Sequence, residues 1–145
     1  MTYTIKEVAA KTGLSIYTLR YYDQAGLLPF VSRNTAGYRE FTDGDLQLIH
    51  TITCLKTTGM PLAKIRQYMT EVMQGPATIP QRQQLLSEHR QAVLAQQAQI
   101  QQSLQELDLK LAIYQHPAAV TFVNAELSAI QAEKVANGLP NPFKK

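Results

Sequence analysis

Ser15-Ile16-Tyr17-Thr18-Leu19-Arg20-Tyr21-Tyr22 is the stretch on which the reading of this 145-residue chain turns. Wound as a helix at about 100° per residue, it puts Ile16 and Leu19 on one side and Tyr17, Thr18 and Tyr21 on the other, with Arg20 at the edge. An apolar inner stripe beneath an outer face of phenols, a hydroxyl and a guanidinium suits a helix lying in a DNA groove. Arg bridges a guanine edge or a phosphate, while Thr and Tyr hydroxyls anchor to the backbone. An amphipathic surface helix with two half-buried tyrosines carries the same pattern, so this stretch alone leaves both readings open.

The residues before it narrow the choice. Thr4-Ile-Lys-Glu7 is a capping-box pattern, in which the Thr4 hydroxyl accepts from an amide of the first turn and Glu7 returns the bond. Ile5, Val8 and Ala9 form an apolar stripe that ends at Gly13, a natural helix stop, and Ser15 caps the next helix at once. Two short helices joined by a tight Gly-containing turn, the second with a basic and hydroxylic outer face, read as a helix-turn-helix. Asp23-Gln-Ala-Gly26-Leu-Leu-Pro29 then predicts a helix exit and chain reversal. Residues 30 to 41 hold two β-prone ends around Asn34 to Gly37, a hairpin signal with Arg33 and Arg39 flanking the tip and Tyr38 between them. An ordinary surface hairpin with solvated arginines would also fit in isolation. After this helix pair the hairpin reads as a wing that grips phosphates beside the groove.

The ordered string from Tyr3-Thr-Ile-Lys-Glu-Val-Ala through Thr12-Gly-Leu-Ser, Thr18-Leu-Arg-Tyr-Tyr, Gly26-Leu-Leu-Pro and Gly37-Tyr-Arg to Thr42-Asp-Gly-Asp-Leu resembles the winged helix-turn-helix of the MerR family. Gly59-Met-Pro-Leu-Ala-Lys-Ile-Arg continues the match, which runs from residue 2 to residue 70. The resemblance implies a dimeric bacterial transcription regulator that binds double-stranded promoter DNA, distorts it and acts on RNA polymerase there. It implies DNA contacts from the second-helix residues Tyr17, Thr18, Arg20 and Tyr21 and from the wing residues Arg33, Tyr38 and Arg39.

The remainder is predicted to be helical, so the fold class is mainly all-α: a winged helix-turn-helix domain over residues 1–72 with a small β-hairpin wing, followed by a long coiled-coil helix. Thr42 caps a helix with Asp43 and Asp45 in its first turn, where carboxylates are favoured. Its buried stripe is Leu46, Leu48, Ile49, Ile52 and Leu55, and Gly59 stops it. Pro61 opens the next helix, with Leu62, Ile65 and Met69 inward and Lys64 outward, where it either holds a phosphate or stays solvated. Gln74-Gly-Pro-Ala-Thr-Ile-Pro80 breaks helix, giving a hinge over residues 73–80. Residues 81–116 contain neither Gly nor Pro, so a helix of about 54 Å is feasible. Leu86, Val93, Ile100, Leu107 and Tyr114 recur every seven residues, with Leu104 and Leu111 as companions in the second half; Arg90 and Gln97 hold that position in the first. This is a coiled-coil spacing, and a partner helix from a second chain is the economical way to cover it. The ten glutamines between Gln81 and Gln105 do not argue against helix, since Ala, Leu and Gln are good helix formers. That the pair is antiparallel is implied by the resemblance alone. Residues 117–145 read as a short helix from Thr121 to Ala136 and a tail, too little chain for a ligand pocket of its own.

Charge adds little. The net charge is +3, with eight cations against six carboxylates in residues 1–72 and six against five in the rest, so any DNA affinity must come from clustering. With no apolar run of 18 residues and no signal-peptide pattern, the expectation is a cytoplasmic protein with no membrane partner. His50, His89 and His116 lack a ligand spacing and a single cysteine makes no thiolate pair, so neither a metal nor any other cofactor is expected.

That cysteine, Cys54, projects opposite the buried stripe of its helix, with His50 one turn back on the same side. A thiol in this setting is a candidate nucleophile, as the thiolate is the reactive form. A small side chain tucked against a neighbouring element is the alternative. Here the chain resembles the aldehyde- and nitric-oxide-responsive branch of MerR regulators, which carries a lone cysteine at the position of Cys54, and this implies an electrophile or aldehyde effector and a stress response. A small-molecule effector held near the C-terminal tail, with no thiol role, is the second reading. A coiled-coil adaptor would leave the helix-turn-helix and wing unexplained. An enzyme built on Cys54 and His50 lacks a third orienting group, so no catalytic residue is assigned.

Overall fold

The computed structural model describes residues 1–143 and divides the chain into two compact units, residues 1–95 and the chain from Gln96 onward. The first unit opens with helix α1 (Ile5–Thr12), whose capping box is complete: Glu7 N–H donates to Thr4 Oγ1 at 3.2 Å and Thr4 N–H to Glu7 Oε2 at 2.7 Å. Gly13, at φ 74°, turns the chain left-handed so that α2 (Ile16–Gln24) starts two residues later, capped by Ser15. Strands β1 (Ser32–Arg33) and β2 (Arg39–Glu40) pair antiparallel, Ser32 opposite Glu40 and Arg33 opposite Arg39. Asn34 organises the tip, its Oδ1 accepting from the Ala36 and Tyr38 amides at 3.0 Å each. The foot of this wing is tied to the N-terminus by a two-bond bridge between Tyr3 and Phe41.

Helix α3 (Asp43–Thr57) carries a second complete capping box, Thr42 with Asp45. Helix α4 (Leu62–Met73) begins one residue beyond Pro61, which occupies the cap position rather than the first helical one. Of the stripe expected on α3, Ile49, Ile52 and Leu55 are buried while Leu46 and Leu48 lie half-buried. These helices close over one core in which Val8, Leu19, Leu27, Phe41, Ile49, Ile52, Ile65 and Met69 are fully buried.

The segment expected to be a hinge holds a 3-10 turn (Gly75–Thr78). Thr78 is buried and its hydroxyl donates to the Glu71 and Gly75 carbonyls, while Arg82 Nη2 donates to Gly75 O at 2.7 Å. Helix α5 (Ile79–Gln115) follows immediately, with Pro80 inside its first turn, where a missing N–H costs nothing. Leu85 on α5 is buried in the core of the first unit and Leu86 packs partly against it. In the second unit, α5 runs on to Gln115 and a turn leads into α6 (Ala119–Ala136), two residues longer at its start than expected. The turn is set by the Ala118 amide donating to His116 Nδ1 at 2.9 Å and by the His116 ring against Phe122, 5.0 Å between centroids. Lys110 and Glu126 stand 3.8 Å apart across the two helices.

Two phenols are held above their ordinary ionisation range. Tyr3 is raised first by donating to Asp43 Oδ1 at 2.8 Å, whereas Tyr22 is raised first by burial and then by neighbouring Tyr21. An unfolded tyrosine ionises near pH 10. The Tyr22 contribution is therefore complete below about pH 10 and is lost as pH rises through the higher folded value, because the unfolded state releases its proton first. Urea melts between pH 8 and pH 11 are expected to show stability falling above pH 10 and a smaller fall in Tyr22→Phe, which leaves the share of Tyr3. Identical alkaline slopes in the two proteins would refute this role of Tyr22.

Candidate nucleic-acid interface

Helix α2 presents the predicted face because Leu19 and Tyr22 are drawn into the core, which turns the opposite side out. Tyr17 is 81% exposed, Tyr21 and Arg20 are also exposed, and Thr18 is half-buried with its hydroxyl accepting from Ser15 Oγ at 2.9 Å. On the wing, Tyr38 is 73% exposed beside the left-handed Gly37, and Arg33 is exposed with Nη1 donating to Gly37 O at 2.8 Å, a bond that braces the tip. Between α2 and the wing lies a cleft of about 400 Å³ lined by Leu19, Arg20, Asp23, Arg33, Tyr38 and Arg39 among others. Four of the residues singled out from the sequence, Arg20, Arg33, Tyr38 and Arg39, thus line one cleft.

Arg39 is placed differently from the other wing cation. Its Nη2 is paired with Asp23 Oδ1 on α2 and its Nη1 donates to Val31 O at 3.3 Å, so its guanidinium is held against the protein. Lys64 is exposed but lines a separate cleft between α4 and α5 with Glu71, Gln84 and Glu88, so it does not join the α2–wing group. Two residues passed over in the sequence shape this surface. Asp23 anchors Arg39, and Arg66 on α4 donates from Nε to the Ala25 carbonyl at 2.7 Å, holding the end of α2. A carboxylate in the last turn of a helix is disfavoured by the dipole there and signals a cationic partner, which is the clue Asp23 offered.

Cys54 and His50 are both exposed on the outer side of α3. The Cys54 carbonyl accepts from the Thr58 amide at 3.1 Å and the Thr58 hydroxyl at 2.8 Å, and Thr58 Oγ1 meets His89 Nε2 on α5 at 2.7 Å. The end of α3 is therefore bonded to the first half of α5. Among the described residues no three His, Cys, Asp or Glu groups converge as a metal site would require, and no helix is long and apolar enough to cross a membrane.

Residues 3–72 match the MerR HTH family of regulatory proteins and residues 46–109 match the MerR DNA-binding family. An uncharacterized HTH-type transcriptional regulator of Haemophilus influenzae is 43% identical over 125 residues, 86% of this chain and 93% of that protein. The HTH-type transcriptional regulator AdhR of Bacillus subtilis is 33% identical over 62% of this chain and 64% of its own. Among solved structures, HiNmlR, a MerR family regulator lacking the sensor domain and bound to promoter DNA, superposes with a TM-score of 0.78 at 43% identity, over 86% of this chain and 99% of that one. With a winged helix-turn-helix head, an outward cationic and phenolic cleft and this degree of likeness, the chain belongs to the MerR family of DNA-binding transcription regulators.

Proposed function

We propose that the protein is a homodimeric promoter regulator that reads DNA with α2 and the wing, pairs through α5, and responds to electrophiles at Cys54. The grouping of Arg20, Arg33 and Tyr38 around one cleft, with Tyr17, Thr18 and Tyr21 alongside, supports the DNA face, and it is the observation that carries the reading. In operator-binding assays by fluorescence anisotropy, Arg20→Ala is expected to cost about 1–3 kcal/mol on the specific site, the worth of a base contact. Arg33→Ala should weaken all sequences evenly and lower the salt slope by about one. Wild-type binding by both variants would place the DNA face elsewhere.

The apolar positions of α5 support pairing. Leu86 and Val93 are half-buried against or near the head, whereas Ile100, Leu104, Leu107, Leu111 and Tyr114 are all exposed in the single chain. A seven-residue spacing of uncovered leucines is covered by a partner helix. Burying an unpaired carboxylate in such a seam costs several kcal/mol, so Leu107→Asp should sediment as a monomer and bind only a half-site weakly. An unchanged dimer at low micromolar concentration would remove Leu107 from the interface.

The exposed thiol of Cys54 supports the sensor reading, as does the bonding of its own carbonyl through Thr58 to His89 on α5. An aldehyde adds at this sulfur to give a hemithioacetal: the S–C bond forms, and the thiol proton passes to the former carbonyl oxygen. The added bulk disturbs the end of α3, and the Thr58–His89 bond passes that disturbance to the helix that joins the two heads. A tilt of the heads then untwists the promoter spacer for RNA polymerase, and a coupling of about 1–3 kcal/mol suffices for a five- to hundredfold response. Cys54→Ser is expected to keep operator binding and dimerisation but to lose induction of a reporter by formaldehyde or methylglyoxal. Induction that persists in Cys54→Ser would refute the thiol route and favour an effector held near the C-terminal tail.

A further inference from the structure

Asp23 is a carboxylate in an unfavourable place. It lies in the last turn of α2, at the negative end of the helix dipole, and it lines the cleft that would receive a polyanion. Both circumstances favour a neutral residue unless the carboxylate serves the protein itself. The wing register supplies that service. Arg33 and Arg39 stand directly opposite one another across the two-stranded ladder, and like charges so placed destabilise the pairing. Asp23 neutralises one of them, and because the two side chains are only 23% and 25% exposed, the pair is weakly screened by solvent and salt. The remaining guanidinium, that of Arg33, is exposed.

We propose that Asp23 and Arg39 are positioning residues for DNA recognition: their ion pair, with the Val31 carbonyl as second anchor, pins the wing to α2 and sets the spacing between Arg20 on the helix and Arg33 and Tyr38 on the wing. A ladder of two residue pairs is too small to hold an angle by itself. The clamp makes helix and wing one rigid reading surface, so sequence selectivity depends on two side chains that touch no base. The inference rests on α2 and the wing being the DNA face.

Fluorescence anisotropy with the full chain tests it on two labelled duplexes, one selected by the wild-type protein from a random-sequence pool and one scrambled to the same base composition. Asp23→Asn removes a negative charge, so electrostatics alone would tighten binding to both. The clamp predicts the opposite sign on the selected duplex, a loss of about tenfold, comparable to losing one well-made base contact, with scrambled DNA bound as well as before or better. Arg39→Ala should show the same loss of selectivity with an unchanged salt slope, and the double variant should lose no more than either single one. The reversed pair, Asp23→Arg with Arg39→Asp, should recover selectivity, and it decides the matter if a single variant fails to fold by circular dichroism; failure to recover then overturns the clamp. Wild-type or tighter binding of Asp23→Asn to the selected duplex overturns it, as does a salt slope in Arg39→Ala lowered by about one phosphate. Arg20→Ala and Arg33→Ala run alongside: if they bind normally, the DNA face is misplaced and the clamp falls with it. If they lose binding while Asp23→Asn stays selective, the clamp alone falls.

Discussion

Leu19 on α2 and Phe41 at the foot of the wing are both fully buried, and both belong to the core that holds Ile49 and Ile52 of α3 and Ile65 and Met69 of α4. That shared burial is the constraint from which the head follows. Fully burying a side chain of this size is worth about 1.5–3 kcal/mol, so neither α2 nor the wing can leave without opening a cavity in a core it shares with α3 and α4. Burying Leu19 turns Tyr17 and Arg20 outward, and anchoring Phe41 fixes where the hairpin rises. The bridge from Phe41 to Tyr3, and the bond from the Tyr3 hydroxyl to Asp43 at the start of α3, extend the same anchoring to the N-terminus.

This arrangement explains how a chain with a net charge of only +3 can belong to a DNA-binding family. Its cations work by placement. Arg20 and Arg33 reach the cleft, Arg66 and Arg82 are spent on the Ala25 and Gly75 carbonyls, and Lys11 lies over the Tyr3 ring at 4.6 Å. Where a cation bonds inward it stiffens the frame on which the outward ones sit. Electrostatic attraction to phosphates carries no sequence information, whereas a fixed spacing between helix and wing does.

The legible parts of the fold were those governed by local rules. The capping box at Thr4–Glu7, the cap at Thr42, the stop at Gly13 and the tip at Asn34–Gly37 each depend on residues within four positions of one another, and all are present as read. Long-range commitments were not legible. Charge and position on a hairpin look the same whether or not Asp23, sixteen residues earlier, is paired with Arg39. The Gly75–Pro76 pair reads as a break, yet Thr78 and Arg82 bond the turn's carbonyls and join α4 to α5 through ordered structure. Leu85 breaks the seven-residue pattern, so nothing local distinguishes it from a surface leucine; its burial depends on the core of the first unit, which it joins.

Those contacts at the start of α5 bear on how a signal could travel in the proposed dimer. A helix of 37 residues is about 55 Å long. Leu85 and the Thr78 turn tie those first turns to the head, and His89 ties the next turn to the residue that caps α3. In the proposed sensor, a change at Cys54 would act on that last tie. The Thr58 hydroxyl bonds the Cys54 and Leu55 carbonyls and also meets His89 Nε2, so the end of α3 and the start of α5 share one side chain. Residues lacking Gly and Pro from Gln81 to Gln115 favour that unbroken helix.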